Sequence, residues 1–205
     1  MSAPELELKA VVSDAAALIA RLEAAGARRI FRGVMRDRRY DVPDGALVAR
    51  DEVLRVRTFE PAGEGAARAE LTWKGPTRLS DGYKEREELQ FDVGDGAAAG
   101  EILGRLGFEE CDAIDRCVEY HEVAGAAVRL EWYPRMDVLV EVEGSPENIE
   151  RAVAASGIPR SAFNADRLLD FAGRYERRTG RPAVLRLSRL GADEKPAWPK
   201  WAGSK

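Results

Sequence analysis

Alternation of apolar and polar positions begins at the first readable element. In Glu5-Leu6-Glu7-Leu8-Lys9 the charges fall on one side of an extended chain and the leucines on the other, because successive side chains of a strand point to opposite faces. The same period predicts strands up to Asp41 and over residues 53–59, 70–74, 83–93, 111–121, 126–132 and 137–143. Pro43-Asp44-Gly45 and the loops 61–67 and 76–82 carry the proline, glycine and aspartate that turns require.

A period near 3.6 replaces the alternation in four places. Ser13 reads as an N-cap with Asp14 in the first turn, Leu18, Ile19 and Leu22 as an apolar stripe, and Gly26 as the C-cap. A second helix closes over 100–107 with Ile102, Leu103 and Leu106, and a third starts at Ser145-Pro146 and runs to Gly157. The last begins near Ser161 or Asn164 and ends at Thr179. From Gly180 onward neither period is present, and three prolines interleave with Trp198 and Trp201. These elements predict an α+β fold, an eight-stranded antiparallel barrel or strongly curved sheet with helices packed outside. One domain spans 1–179 and a tail spans 180–205, either docked by its tryptophans or mobile.

Composition narrows the chemistry. With 205 residues, 45% hydrophobic and 33% charged, the chain suits one soluble domain with a real core. A net charge of −4 argues against a general nucleic-acid binder. No apolar run is long enough for a membrane span, and no secretory leader is visible, so a cytoplasmic location is expected. Two cysteines and one histidine leave little room for thiolate zinc, disulfide or imidazole chemistry. What remains is carboxylates and cations. Whether the protein is a monomer or a homodimer is left open by the residues.

Taken one face per strand, the charges add up to a site. Six acids (Glu5, Glu7, Glu88, Glu131, Glu141, Glu143) share faces with six bases (Lys9, Arg55, Arg57, Lys74, Lys84, Arg86). The opposite faces are largely apolar and could be covered by the helices. If so, the charged faces line the interior, which must be wet, because an isolated buried ion costs on the order of tens of kcal/mol. A polyphosphate accompanied by divalent cations suits such a channel: arginine and lysine match phosphoryl oxygens, and clustered carboxylates match hard Mg2+ or Mn2+. The alternative is an amphipathic sandwich with solvated charge ladders outside.

The ordered set Glu5-x-Glu7-x-Lys9, Asp37-x-x-Tyr40-Asp41, Leu54-Arg55-Val56-Arg57, Leu71-Thr72-Trp73-Lys74-Gly75-Pro76, Arg86-x-Glu88 and Val140-Glu141-Val142-Glu143 resembles the CYTH family. That family is the triphosphate tunnel metalloenzymes, which include class IV adenylate cyclases and thiamine triphosphatases. The resemblance covers about residues 3–175 and is greatest to the class IV cyclase-like branch. It implies an eight-stranded tunnel open at both ends, with Glu5, Glu7, Glu141 and Glu143 binding Mg2+ or Mn2+. It also implies a triphosphate held by Arg55, Arg57, Lys74 and Arg86, with Lys9 beside the reacting phosphate as a base or a leaving-group stabiliser. Glu131 stands where the family usually has an aspartate. A Lys-x-Arg expected before Tyr120 is matched here only by Asp115 and Cys117, with Arg116 read as facing the other way; Arg129 or Arg167 could substitute.

Three functions fit. The first is metal-dependent hydrolysis of an inorganic, nucleoside or other organic triphosphate, favoured because no base-recognition pocket is evident. The second is cyclisation of ATP to cyclic AMP and pyrophosphate, and the third is a non-catalytic module that holds a phosphorylated ligand. His121 is expected at a surface or strand end, Cys111 and Cys117 as small buried or structural residues, Trp73 in the core, and Trp132 and Tyr133 either stacked on a substrate ring or packed at a rim.

Overall fold

The longest runs of alternation become the longest strands, β2 (Arg28–Asp41) and β8 (Glu109–Val123), which pair antiparallel along nearly their whole length. The computed structural model describes residues 5–203, with the backbone alone for Glu5 and Ser80. Around this pair lie β1 (Glu5–Val12), β3 (Val53–Pro61), β4 (Arg68–Lys74), β9 (Ala126–Trp132) and β10 (Val138–Glu143). The expected strand over 83–93 forms as two, β6 (Tyr83–Arg86) and β7 (Glu88–Val93), and β5 (Arg78–Ser80) makes a short hairpin with β6.

The sheet therefore has ten strands in the order β5-β6-β1-β10-β9-β8-β2-β3-β4-β7, and it is not the closed eight-stranded barrel expected from the alternation. The break at Glu87 is the cause. Before it, β6 pairs with β1; after it, β7 pairs with β4. The Glu87 carbonyl turns aside to accept from Gly75 N at 2.9 Å. The two sides of the sheet are thus joined through the chain at Glu87 and not by a continuous ladder. Beyond Glu7 the open edge of β1 is taken by Asn164, which exchanges two backbone hydrogen bonds with Lys9 at 2.8 and 3.0 Å.

Helix ends follow local chemistry. In α1 (Ala15–Ala24) the cap is Asp14 and not Ser13, its carboxylate accepting from Ala17 N at 2.9 Å. Asp95 caps α3 (Gly96–Arg105), four residues ahead of the expected start, because its carboxylate takes both Ala97 N and Ala98 N. Gly96 lets this helix close on β3 and β4, since a Cβ there would stand 2.8 Å from Thr58 Cγ2. In α4 (Pro146–Ser156), Ser145 caps, Pro146 opens the first turn, and Gly157 ends it at φ 68°. A short helix, α2 (Ala46–Ala49), replaces part of an expected loop because Asp41 accepts from Val42 N, Leu47 N and Val48 N. The last helix, α5, spans Leu168–Thr179.

Helices α1 and α4 cover the outer face of β1 and β8–β10, burying Leu8, Leu18, Leu22, Leu130, Val142 and Ile149 in the main core. The outer face of β7 is different: Leu89 and Phe91 remain 58% and 61% exposed, and Trp73 of β4 is only half-buried. A second core packs Ile114, Tyr133 and Leu139 against Phe171 of α5, with Leu185 beside them.

Residues 180–203 run along the sheet. Val184 bridges Arg135, and Trp201 meets Trp132 edge-on at 6.0 Å between ring centroids. Asp115 ties the segment down: its amide donates to Leu185 O, its Oδ2 accepts from Leu187 N, both at 2.8 Å, and its Oδ1 accepts from Arg38. Asp115→Ala leaves buried donors without an acceptor, so it should cost about 1–3 kcal/mol. Limited proteolysis of that variant should cleave first within 180–203; digestion indistinguishable from the wild type contradicts the anchor.

Candidate active site

Parity within each strand decides what faces inward. Residues directly opposed in an antiparallel pair share a face, and the register pairs Lys9 with Glu141, Glu141 with Arg129, Arg129 with Tyr120, and Met35 with Arg116. On the other wall Asp37 opposes Arg57, Thr72 opposes both Arg55 and Gln90, and Lys74 opposes Glu88. These faces converge on one cavity of about 830 Å³. Glu7, Lys9, Arg55, Arg57, Lys74, Lys84, Arg86, Glu88, Glu131, Glu141 and Glu143 all line it. The side chain of Glu5 lies outside the described residues; its backbone pairs with Arg86.

Lys9 sits between two carboxylates, its ammonium 2.7 Å from Glu7 Oε1 and 2.5 Å from Glu141 Oε2. Lys84 also donates to Glu7. Burial opposes a charge on Glu7, yet Lys9, Lys84 and Lys74 outweigh it and hold the carboxyl well below its usual range. Burial likewise opposes a charge on Glu131, but Arg116 and Arg129 bring it down to about 2. Their Nε atoms lie 2.8 and 2.9 Å from Glu131 Oε1, and Tyr133 donates to Oε2 at 2.5 Å. Arg129 reaches Glu141 as well, so one cation joins two acidic positions.

Arg55 is the poorly matched member. Its Nε is buried without a hydrogen-bond partner, and its remaining contacts are long: 3.3 Å to Thr72 Oγ1, 3.6 Å to Asp37 and 3.8 Å to Glu88. Burial and then the neighbouring Arg57 lower its pKa to about 10. A buried guanidinium with only long contacts leaves its charge poorly matched, and Arg binds phosphate through charge-assisted paired hydrogen bonds. Arg86 differs again. It faces the cavity but donates Nε to Gly75 O at 2.6 Å and Nη2 to Asp51 O.

Two strand assignments need correction. Arg116 stands four residues before Tyr120 and shares its face, so it points into the cavity, while Asp115 and Cys117 point out. Arg116 and Arg129 therefore both belong to the wall that lacked cations in the sequence reading; Arg167 lines the cavity too, paired with Asp51 at 3.2 Å. His121 is not at the surface: it is fully buried, 3.2 Å from the buried Glu119. Cys117 is buried, and that burial pushes its thiol up to about 12, whereas Cys111 is exposed. Sequence reasoning passed over Asp37 as a site residue and weighed Tyr133 only as a stacking or rim residue. Asp37 was legible by its parity with Arg39 on β2, whereas Tyr133 follows the end of β9, where alternation no longer orients it.

The six expected metal ligands are not gathered into one cluster. Among the described residues no three carboxylate, imidazole or thiol groups converge on an ion-sized site. Glu88 is paired with Lys74 at 2.8 Å, and Glu131 is committed to two arginines. Glu7 and Glu143 stand directly opposite on β1 and β10, with Glu141 next along the same face, and Glu7 and Glu141 are likewise paired with lysine and arginine. Their hard oxygen donors suit a small divalent cation.

Comparison with known proteins bears on the fold and the family. The model of the CYTH domain matches residues 3–156. A search of the curated proteins finds no match. Among solved structures, a candidate adenylate cyclase from Vibrio parahaemolyticus is 17% identical with a TM-score of 0.69, covering 84% of this chain and 99% of its own. A conserved hypothetical protein from Pyrococcus furiosus is 21% identical with a TM-score of 0.64, covering 82% of this chain and 99% of its own. A candidate adenylyl cyclase from Hippeastrum, described as having a dominant triphosphatase activity, is 18% identical with a TM-score of 0.59, covering 89% of this chain and 98% of its own. At these identities the likeness is one of fold, but the match to the family model spans most of the chain. The protein belongs to the CYTH domain family, a family of triphosphate tunnel metalloenzymes.

Proposed function

We propose that this chain hydrolyses a triphosphate inside the cavity with Mg2+ or Mn2+. The observation that carries the reading is Arg55, a buried cation with an unpartnered Nε, on a wall shared with Arg57 and close to Asp37. A phosphoryl group beside its terminal nitrogens would supply the missing negative charge. Arg55, Arg57 and Arg116 would hold one part of the polyphosphate, and Lys74 and Lys84 another. Arg86, already bound to two backbone carbonyls, would act mainly through its charge.

Lys9 is placed to meet the reacting phosphate. Glu7 and Glu141 fix its ammonium between them, so its third proton can aim at a phosphoryl oxygen without a search over rotamers. Glu143, with the Glu7 and Glu141 oxygens that Lys9 does not engage, would hold the divalent ion, with Glu5 assigned to the same set. The ion supplies Lewis-acid neutralisation of the phosphoryl oxygens. Glu88 and Glu131 orient lysine and arginine donors. The oxygen of water bonds to the terminal phosphorus, the bridging phosphorus–oxygen bond breaks, and orthophosphate leaves a diphosphate behind.

Hydrolysis is favoured over cyclisation because the aromatic residues of the cavity are engaged. Arg68 lies over Phe59 at 3.7 Å from the ring centroid, Tyr120 contacts Met35 and Arg129, and Tyr133 is bonded to Glu131. Arg129 also lies over Tyr120 at 5.2 Å and Arg116 over Tyr133 at 5.9 Å from the ring centroids, so each ring carries a guanidinium that competes with stacking by a nucleobase. Incubation with ATP or inorganic tripolyphosphate and Mn2+ should release orthophosphate. Cyclic AMP with pyrophosphate would replace this reading by a cyclase, and tight binding with no product over hours would replace it by a binding module.

A further inference from the structure

Asp37 is the most heavily committed carboxylate of the cavity, and triphosphate hydrolysis as proposed above gives it no role. It is 1% exposed. Arg57, directly opposite on β3, donates Nε to Oδ1 at 2.6 Å and Nη2 to Oδ2 at 2.9 Å. Arg116, from β8 on the other side, donates Nη1 and Nη2 to Oδ2 at 3.1 and 3.2 Å. Arg55 approaches the same oxygen at 3.6 Å. One carboxylate thus collects three guanidinium groups from the two strands that flank β2. Those groups repel one another, and nothing else among the described contacts holds Arg57 in place apart from its approach to the Phe59 ring.

We infer that Asp37 is a positioning residue for the triphosphate site, aligning Arg57 and Arg116, with Arg55 beside them, so that the three guanidinium groups present one cationic wall to a phosphate. The fork on Arg57 uses Nε and Nη2, so Nη1 takes no part in it, and Arg55 makes only long contacts. Arg116 is triangulated between Asp37 and Glu131. A bidentate carboxylate fixes the plane of a guanidinium as well as its position, which a diffuse negative charge would not do. The inference rests on the proposed function, since it presumes a triphosphate beside these arginines.

A double-mutant cycle tests it, read in both inorganic tripolyphosphate binding by calorimetry and turnover. Asp37→Asn should lower turnover about a hundredfold, the size expected when a reacting group is misplaced by about 1 Å, while affinity for tripolyphosphate holds or rises because the cavity has lost a negative charge. In an Arg57→Lys background the turnover loss should largely vanish, whereas in a Lys84→Gln background it should persist in full. Full additivity with Arg57→Lys overturns the positioning role, as does a parallel fall in turnover and affinity that tracks the folded fraction. If Asp37→Asn does not fold, Asp37→Glu decides: it keeps the charge on a longer arm and should still lose turnover, whereas wild-type rates contradict the inference. Wild-type binding without turnover would remove the hydrolase reading and leave the Asp37 test intact in the binding data. Absence of binding by the wild type would overturn both.

Discussion

Arg55→Gln should lose turnover by about a hundredfold to a thousandfold while the protein becomes no less stable. The two effects have opposite origins in the same side chain. A guanidinium with an unpartnered Nε, buried beside Arg57, costs the native state energy: the lowering from 12.5 to about 10 corresponds to on the order of 3 kcal/mol. That cost is fully present at neutral pH, where the group is charged in both the folded and unfolded chain. Glutamine removes it and retains a donor for Thr72. The same poorly matched charge is what a phosphoryl group would neutralise, so function suffers where stability does not. Thermal unfolding and initial rates on one preparation check both halves. A variant that melts far below the wild type yet keeps its rate contradicts the assignment of Arg55 as a ligand residue.

The second large effect is on acid stability. Glu131 is lowered from 4.5 to about 2, burial opposing its charge and Arg116 and Arg129 imposing it. A carboxyl depressed in the folded state stabilises the protein at pH values above its unfolded pKa, and that contribution is lost as pH falls through the folded one. For Glu131 the window runs from about 4.5 down to about 2, and its share is on the order of 3 kcal/mol. Glu7 and Asp37 are held well below their usual ranges by lysines and arginines and act in the same direction. Urea unfolding should therefore give a flat stability from pH 7 to about 5 and a steep fall below. Glu131→Gln should remove part of that slope and cost about 3–5 kcal/mol at pH 7, because two buried arginines lose their shared partner. Stability that stays level down to pH 2.5 contradicts the buried ion network.

Much of this site was legible because strands carry a strict two-residue period. Once Glu7, Arg57 or Glu141 is known to face inward, so are its neighbours two positions away, and the inward set follows for β1, β3, β4 and β10. The errors arose where the period is interrupted or miscounted. Glu87 has a residue type suited to a strand, and nothing local announces that its carbonyl turns to Gly75. The exchange of partners there depends on where β1 and β4 end up, which is a property of the whole sheet. Arg116 was a matter of counting, since an even separation from Tyr120 places it inward. His121 illustrates a different limit. Its parity is readable, but its burial depends on Glu119 and on the elements packed over that face. Pairing within the cavity is also beyond a sequence reading: six acids and six bases suggest neutrality, yet only the structure gives Asp37 three arginines and leaves Arg55 short.

The account stands on a triphosphate lying against the Arg55–Arg57–Arg116 wall. A crystal structure of the protein with inorganic tripolyphosphate tests this most directly. Phosphoryl oxygens should lie within hydrogen-bond distance of the Arg55 and Arg57 guanidinium groups, with Lys9 reaching an adjacent phosphate. Tripolyphosphate bound outside the cavity, away from the Arg55 and Arg57 guanidinium groups, would contradict it.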